Sequence, residues 1–267
     1  MWVPPAAASL ALPRSVLLAF WVQHVGAGSE PLRRAIAAVQ GDDEPHDVRG
    51  PVDVTPVGGQ LPDLLAEWAS GPREAAALLP APGDVMGLPA AINATALAAG
   101  ECVLVTTPLG SFAAVPEIQA FGSVYETGHL VSWTVSRAPA WRGALLGTVG
   151  SLADSERELR AALVSATQAL AALDVARWRP EAAASIAALR ADVDPGWSLP
   201  PELDGRTLRV LVMAARLRAI VALATDDDGG AINLWQADQR STALREVDRA
   251  ARRALCAATV RTERPEA

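Results

Sequence analysis

The chain has 267 residues, 51% of them hydrophobic and 20% charged, and a net charge of −7. That balance fits a folded globular chain with a sizeable core and excludes a disordered one. All 23 basic residues are arginine, so the absence of lysine also excludes Schiff-base chemistry and the Gly-Lys-Ser/Thr end of a P-loop.

Pro13 followed by RSVLLAFWVQHV predicts a first helix, since proline suits an early helical position. Gly26 and Gly28 break it. Ser29, with Glu30 and Pro31, then opens a second helix that runs to Val39 and stops at Gly41. GDDEPHDVRGP (41–51) reads as a polar loop. VDVTPVGG (52–59) reads as a short edge strand, because Pro56 does not suit a central one. LPDLLAEWAS (61–70) predicts a helix with Leu61, Leu64, Leu65 and Trp68 on one side. AAALLP (75–80) predicts a strand that enters the loop APGDVMGLP (81–89). Asn93 is placed to cap a short helix over ATALAA, closed by Gly100. The β-branched run ECVLVTT (101–107) predicts a strand. SFAAVPEIQAF (111–121) is extended, with a bend or sheet edge at Pro116. HLVSWTVSR (129–137) alternates, with His129, Val131, Trp133 and Val135 on one face of a half-buried antiparallel strand.

From about Gly150 the period becomes helical. Ser151 and Asp154 fit a capping box. Leu159, Leu163, Ala166, Leu170 and Leu173 recur at helical spacing as a bundle seam. Pro180 opens a second helix of this half, carrying Ile186, Leu189 and Val193. A third, from Arg206 to Ala224, is apolar nearly all round and is expected to be central. A fourth runs from Ala231 to Thr259. Together these elements predict an α+β fold: a small, mostly antiparallel sheet with flanking helices over 1–145, followed by a C-terminal helical bundle packed on it over 146–267.

Charge is placed unevenly. Residues 1–135 carry five arginines against thirteen acids; residues 136–267 carry eighteen against seventeen. An acidic front half argues against nucleic acid as a partner. Cys102 and Cys256 match no metal spacing and form no disulfide framework, which points to a reducing compartment. His24, His46 and His129 lie far apart in sequence, without an H-x-x-x-H pair, so no metal and no cofactor are expected. The apolar run Val16 to Val22 follows no basic segment and is too short to span a bilayer. Neither a signal peptide nor a membrane span is expected, and a cytoplasmic location is.

Four stretches are weighed as sites. In APGDVMGLP, Gly83 and Gly87 permit close backbone approach and Asp84 offers a hydrogen-bond acceptor; a plain tight turn is the preferred alternative. GDDEPHDV (41–48) brings Asp42, Asp43, Glu44, His46 and Asp47 together as oxygen-rich ligands without EF-hand spacing, and a solvated loop is preferred. Asp226, Asp227 and Asp228 precede Gly229 and Gly230; the favoured account is a helix–helix turn belonging to the fourth helix. Arg240, Arg245, Arg249, Arg252 and Arg253 interleave with acids and read as a salt-bridged helix face. A thiol triad of Cys102, His129 and Asp84 requires their strands to adjoin, and Cys102 sits in an apolar run.

PGDVMGLP (82–89), INATALAAGE (92–101) and DDDGGAINLWQADQRSTALREVDRAARRAL (226–255) resemble an uncharacterised protein family of high-GC actinobacteria. The resemblance implies a bacterial cytosolic setting and transfers no catalytic residue. Two functional expectations follow. The first is a non-enzymatic binding, regulatory or scaffolding protein, with a second copy or another protein as partner through the helical half. The second is an enzyme using acid–base chemistry on a polar small molecule. Its pocket, between sheet and bundle, would be lined by Asp84, Asn93, His129 and the acids at 226–228.

Overall fold

A computed structural model of the chain describes residues 10–26, 28–123, 126–172, 195–226 and 234–260. Their contacts separate two compact units. One holds the described part of 12–150 with 198–203 and 256–260; the other holds the rest. The fold is α+β.

The first unit is built on a five-stranded sheet among the described residues. Its strands are β1 (Asp47–Arg49), β2 (Glu74–Leu78), β3 (Cys102–Thr107), β4 (Gly110–Ser123) and β5 (Glu126–Arg137), in the order β1-β5-β4-β3-β2. All pairs are antiparallel except β1 with β5, where Val48 lies opposite Trp133. Around the sheet run α1 (Arg14–His24), α2 (Ser29–Gln40), α3 (Leu61–Trp68), α4 (Asn93–Ala99) and α5 (Arg142–Val149).

The short edge strand is at 47–49 and not at 52–59. Val52 and Val57 are fully exposed, and Val54 and Thr55 instead donate their amides to Pro51 O, both at 3.0 Å, in a turn. Val48, a valine between charged neighbours, is buried and pairs with β5; Val54 is buried too, but within the turn. Nor does Asn93 cap α4: it is the first helical residue, its Oδ1 is buried without a hydrogen bond, and Ile92 precedes the helix without a side-chain cap. Gly100 closes that helix in the left-handed conformation, which a residue without Cβ reaches at no steric cost.

Helix α1 is apolar on most of its surface, and it buries Val16, Leu18, Ala19, Phe20, Trp21 and Val22. That all-round burial is the pattern of a core helix, and it packs along β2 and β3. Trp68 of α3 stacks on Phe112 of β4 with ring centroids 6.2 Å apart. Arg73 ties the ends of two helices. Its guanidinium donates to Val22 O at 2.5 Å and Val25 O at 2.5 Å at the end of α1, and to Ala69 O at 2.7 Å after α3. Carbonyls at a helix C-terminus lack intrahelical partners and carry partial negative charge, which the half-buried guanidinium of Arg73 satisfies.

In the second unit are α6 (Leu152–Ala172), α7 (Gly205–Asp226) and most of α8 (Leu234–Thr259), whose last turn from Cys256 belongs to the sheet unit. The serine half of the capping box forms: Ser151 Oγ accepts from Asp154 N at 3.2 Å, while Asp154 Oδ2 accepts from the Ser151 hydroxyl at 2.6 Å. Glu156 of α6 accepts two bonds from Arg206 of α7, at 2.7 and 2.8 Å. Asp248 of α8 accepts from Arg252 at 2.7 Å and lies 3.5 Å from Arg218 of α7.

Two helix expectations change. Of the seam proposed for α6, Leu159 is buried and Leu163 is exposed; nothing is described for the side chains of Ala166 and Leu170, and Leu173 lies outside the described residues. The helix expected after Pro180, with Ile186, Leu189 and Val193, also lies outside them. Helix α7 is not buried all round: Thr207, Val210, Leu211, Ala214 and Ala215 form one covered stripe, while Leu208 is exposed. Among the described residues no helix is long and apolar enough to cross a membrane.

Candidate functional site

The residues weighed as site candidates do not converge. Asp84 lies in a tight turn, where Ala81 N donates to Asp84 O at 3.1 Å and Asp84 N to Ala81 O at 2.8 Å. Pro82 and Gly83 occupy the two central positions, and Gly83 has φ +83°, so the loop is a proline–glycine turn. The following Met86 is buried at φ +52°, and Gly87 sits so close to α5 that a Cβ there would lie 3.2 Å from Ala144 O. Cys102 is fully buried on β3, opposite Leu78, and burial pushes its thiol far up from the usual range. Strand β4 separates it from β5 and His129, so the thiol triad does not form. Asp226 is the last residue of α7, not the start of the following helix, and Asp227 and Asp228 lie outside the described residues.

His129 does meet other polar groups, which come from the acidic loop and α1. Helix α2 ends at Gln40, and the turn after it places Asp43, whose side chain is only 8% exposed. Arg14, at the start of α1, donates Nε to Asp43 Oδ2 at 2.5 Å and Nη2 to Oδ1 at 2.6 Å. His46 Nε2 lies 3.2 Å from Oδ2, and His129 Nδ1 lies 3.2 Å from Oδ1. Behind His46, Trp133 Nε1 donates to His46 Nδ1 at 3.1 Å. An indole nitrogen only donates, so His46 Nδ1 accepts and its proton sits on Nε2, facing Asp43.

Sequence alternation accounts for half of this placement. His129 and Trp133 are four residues apart on one strand and share a face. The other half is pairing. Asp47 is opposite Ser132, and Glu44 N donates to His129 O at 3.0 Å, so the acidic loop lies along β5.

Burial pushes the Asp43 carboxyl upward, but the hydrogen bonds from Arg14 and His46 outweigh it and hold the group below the usual carboxylate range. Burial likewise holds His46 below the usual histidine range, against the opposing pull of Asp43. The bond to Asp43 raises Arg14 further. A carboxylate has about four lone-pair directions, and here Arg14 takes two while the histidines face the remaining ones. The cluster is therefore an internal knot whose negative charge is already neutralised. His129, 36% exposed, is its member nearest solvent. Among the described residues no three His, Cys, Asp or Glu side chains are grouped to hold a metal ion.

On the opposite face of β1, β5 and β4 is a shallow depression of about 100 Å³, lined by Asp47, Arg49, Glu117, Gln119, Leu130 and Ser132. Small-molecule sites usually enclose about 300–1,000 Å³. Beyond it, β4 and β5 outrun the sheet. Strand β3 accompanies β4 only to Ala114, while β4 and β5 remain paired to Ser123 and Glu126. Every residue from Glu117 to Ser123 is exposed, and Ile118, Phe121 and Leu130 are 36%, 45% and 49% accessible. Phe121 lies over Gly128, where a Cβ would stand 2.5 Å from the ring. Sequence reasoning identified the extended strand but not this projecting ribbon; the signal was Pro116, which marks where the third neighbour ends.

Two family models match the chain, described as the N-terminal domain and the C-terminal domain of Rv1486c-like protein, over residues 15–146 and 153–256. Among curated proteins, the uncharacterized protein Rv1486c of Mycobacterium tuberculosis strain ATCC 25618 / H37Rv is 34% identical over 166 residues, covering 55% of this chain and 54% of the relative. The uncharacterized protein MT1533 of strain CDC 1551 / Oshkosh matches to the same extent. The chain thus spans about half the length of these relatives. No solved structure matches.

Proposed function

Given that the chain belongs to the Rv1486c-like protein family, we propose that it is a non-enzymatic binding or scaffolding protein of the bacterial cytosol. The observation that carries this is the ribbon formed by the outer parts of β4 and β5. It holds Leu130 of β5 in solvent, and Ile118 and Phe121 on a stretch of β4 with no second strand neighbour among the described residues. Exposed apolar groups on an open sheet edge are characteristic of a protein contact. Less supports the acid–base alternative: His129, one of its expected residues, faces Asp43, which Arg14 already pairs, and Asp84 lies in a tight turn. On this view the units matched by the two family models are separate domains, one presenting the ribbon.

The test is cross-linking and co-purification of the tagged chain at native abundance, compared with the Phe121→Ser variant. The expected result is a protein partner, or a second copy, at fixed stoichiometry with the wild type and not with the variant. Turnover of a small molecule by the purified chain, abolished by His129→Ala at unchanged melting temperature, would overturn the proposal in favour of an enzyme.

A further inference from the structure

We infer that the ribbon edge of β4 pairs with the same edge of a second copy of this chain, joining two five-stranded sheets across a two-fold axis. The inference rests on the proposed binding role of the ribbon and names its occupant.

The sheet's other exposed flanks are guarded. Outside β2, the amide of Ala77 donates to Thr259 Oγ1 at 2.9 Å. Outside β1, Val48 N donates to Gly59 O at 2.8 Å and Leu61 N to His46 O at 3.1 Å. No strand pairs with the edge of β4 beyond Pro116 among the described residues; α4 contacts β4, and Glu117 to Ser123 remain exposed. That edge also lacks the usual blocking devices: from Glu117 to Phe121 there is one charge, no proline and no basic residue.

Charge and face both permit self-pairing. In an antiparallel pair, directly opposed residues share a face. A two-fold axis through Gln119 therefore sets Glu117 opposite the second copy's Phe121, Ile118 opposite Ala120, and Gln119 opposite itself. No like charges meet, and two primary amides at the axis can exchange hydrogen bonds. Ile118 and Ala120 lie on the face that carries Val131 and His129; Glu117, Gln119 and Phe121 lie on the other. The regular stretch ends before Gly122, whose φ of +92° turns the strand. Five residue pairs make a small interface, so the association is weak and concentration-dependent.

The test is sedimentation velocity of the full chain over a micromolar concentration series, with Gln119→Arg and Gln119→Glu. The wild type is expected to dimerise with rising concentration. Each variant alone is expected to dimerise roughly tenfold more weakly, because like charges face each other at the axis, and mixing the two variants is expected to restore the dimer. A wild type that stays monomeric throughout overturns the inference and leaves the partner test above to decide the broader role. A dimer indifferent to both variants also overturns it and places self-association elsewhere, with the helical half as the next surface. Circular dichroism confirms folding of each variant; if one misfolds, Ala120→Arg, one position from the axis, replaces it.

Discussion

Trp133 donates its indole proton to Nδ1 of His46 at 3.1 Å, and that single bond determines which nitrogen of a buried histidine carries hydrogen. His46 is neutral in the fold, donates to Asp43, and is the middle of a chain running from the sheet to Arg14 at the start of α1.

Acidification should therefore weaken the protein in two stages of the same sign. His46 has a folded pKa below its ordinary value of 6.5, so as pH falls through that value the unfolded chain takes up a proton that the fold resists. Asp43 is also depressed; its contribution is complete above the ordinary 3.8 and is lost as pH falls through the folded value. Melting temperature measured against pH should decline first below about 6.5 and again below about 3.8. In His46→Gln the first decline should shrink. A wild-type profile flat from neutrality to pH 4 would contradict the lowered pKa of His46.

Asp43→Asn should cost roughly 2–4 kcal/mol, because it strands the largely covered guanidinium of Arg14. Arg14→Met in the same background should recover part of that loss, since the pair is then replaced by apolar contact. Urea midpoints of the two single variants and the double variant measure the coupling. Strict additivity would mean that the bidentate pair contributes nothing.

Arg73→Ala should lower stability by roughly 2–3 kcal/mol, as carbonyls at the ends of α1 and α3 lose a charged donor. Arg73→Lys should restore less than half. A point ammonium cannot reach Val22, Val25 and Ala69 with the geometry of a planar fork. Equal stability of the lysine variant and the wild type would sink the two-helix clamp.

Thr259→Val should cost roughly 1–2 kcal/mol and speed hydrogen exchange at the Ala77 amide. The hydroxyl that accepts from that amide, and donates to Cys256 O at 2.7 Å, disappears at nearly constant volume. Exchange unchanged at Ala77 would show that the edge of β2 has another guard.

Much of the fold is legible in local pattern. HLVSWTVSR alternates so cleanly that its buried face, Val131, Trp133 and Val135, follows from period alone. Ser151 and Asp154 announce a helix start that forms as expected. Other elements are not legible for equally physical reasons. RGALLGTV carries two glycines in eight residues, which lowers its helix propensity, yet it forms α5. DVR is three residues with one valine and has no strand signal until β5 is beside it.

By itself the sequence determined the α+β class, the excluded lysine chemistries and the periodic faces, because these depend on residue type and near-neighbour spacing. Tertiary structure alone decided what surrounds Asp43. Arg14, His46 and His129 are separated by tens of residues, and only the parallel pairing of β1 with β5 and the seating of α1 bring their nitrogens to one carboxylate. The ribbon is the same kind of fact: whether a strand edge is covered depends on where its neighbours stop, and the pairing of β4 with β3 ends at Ala114.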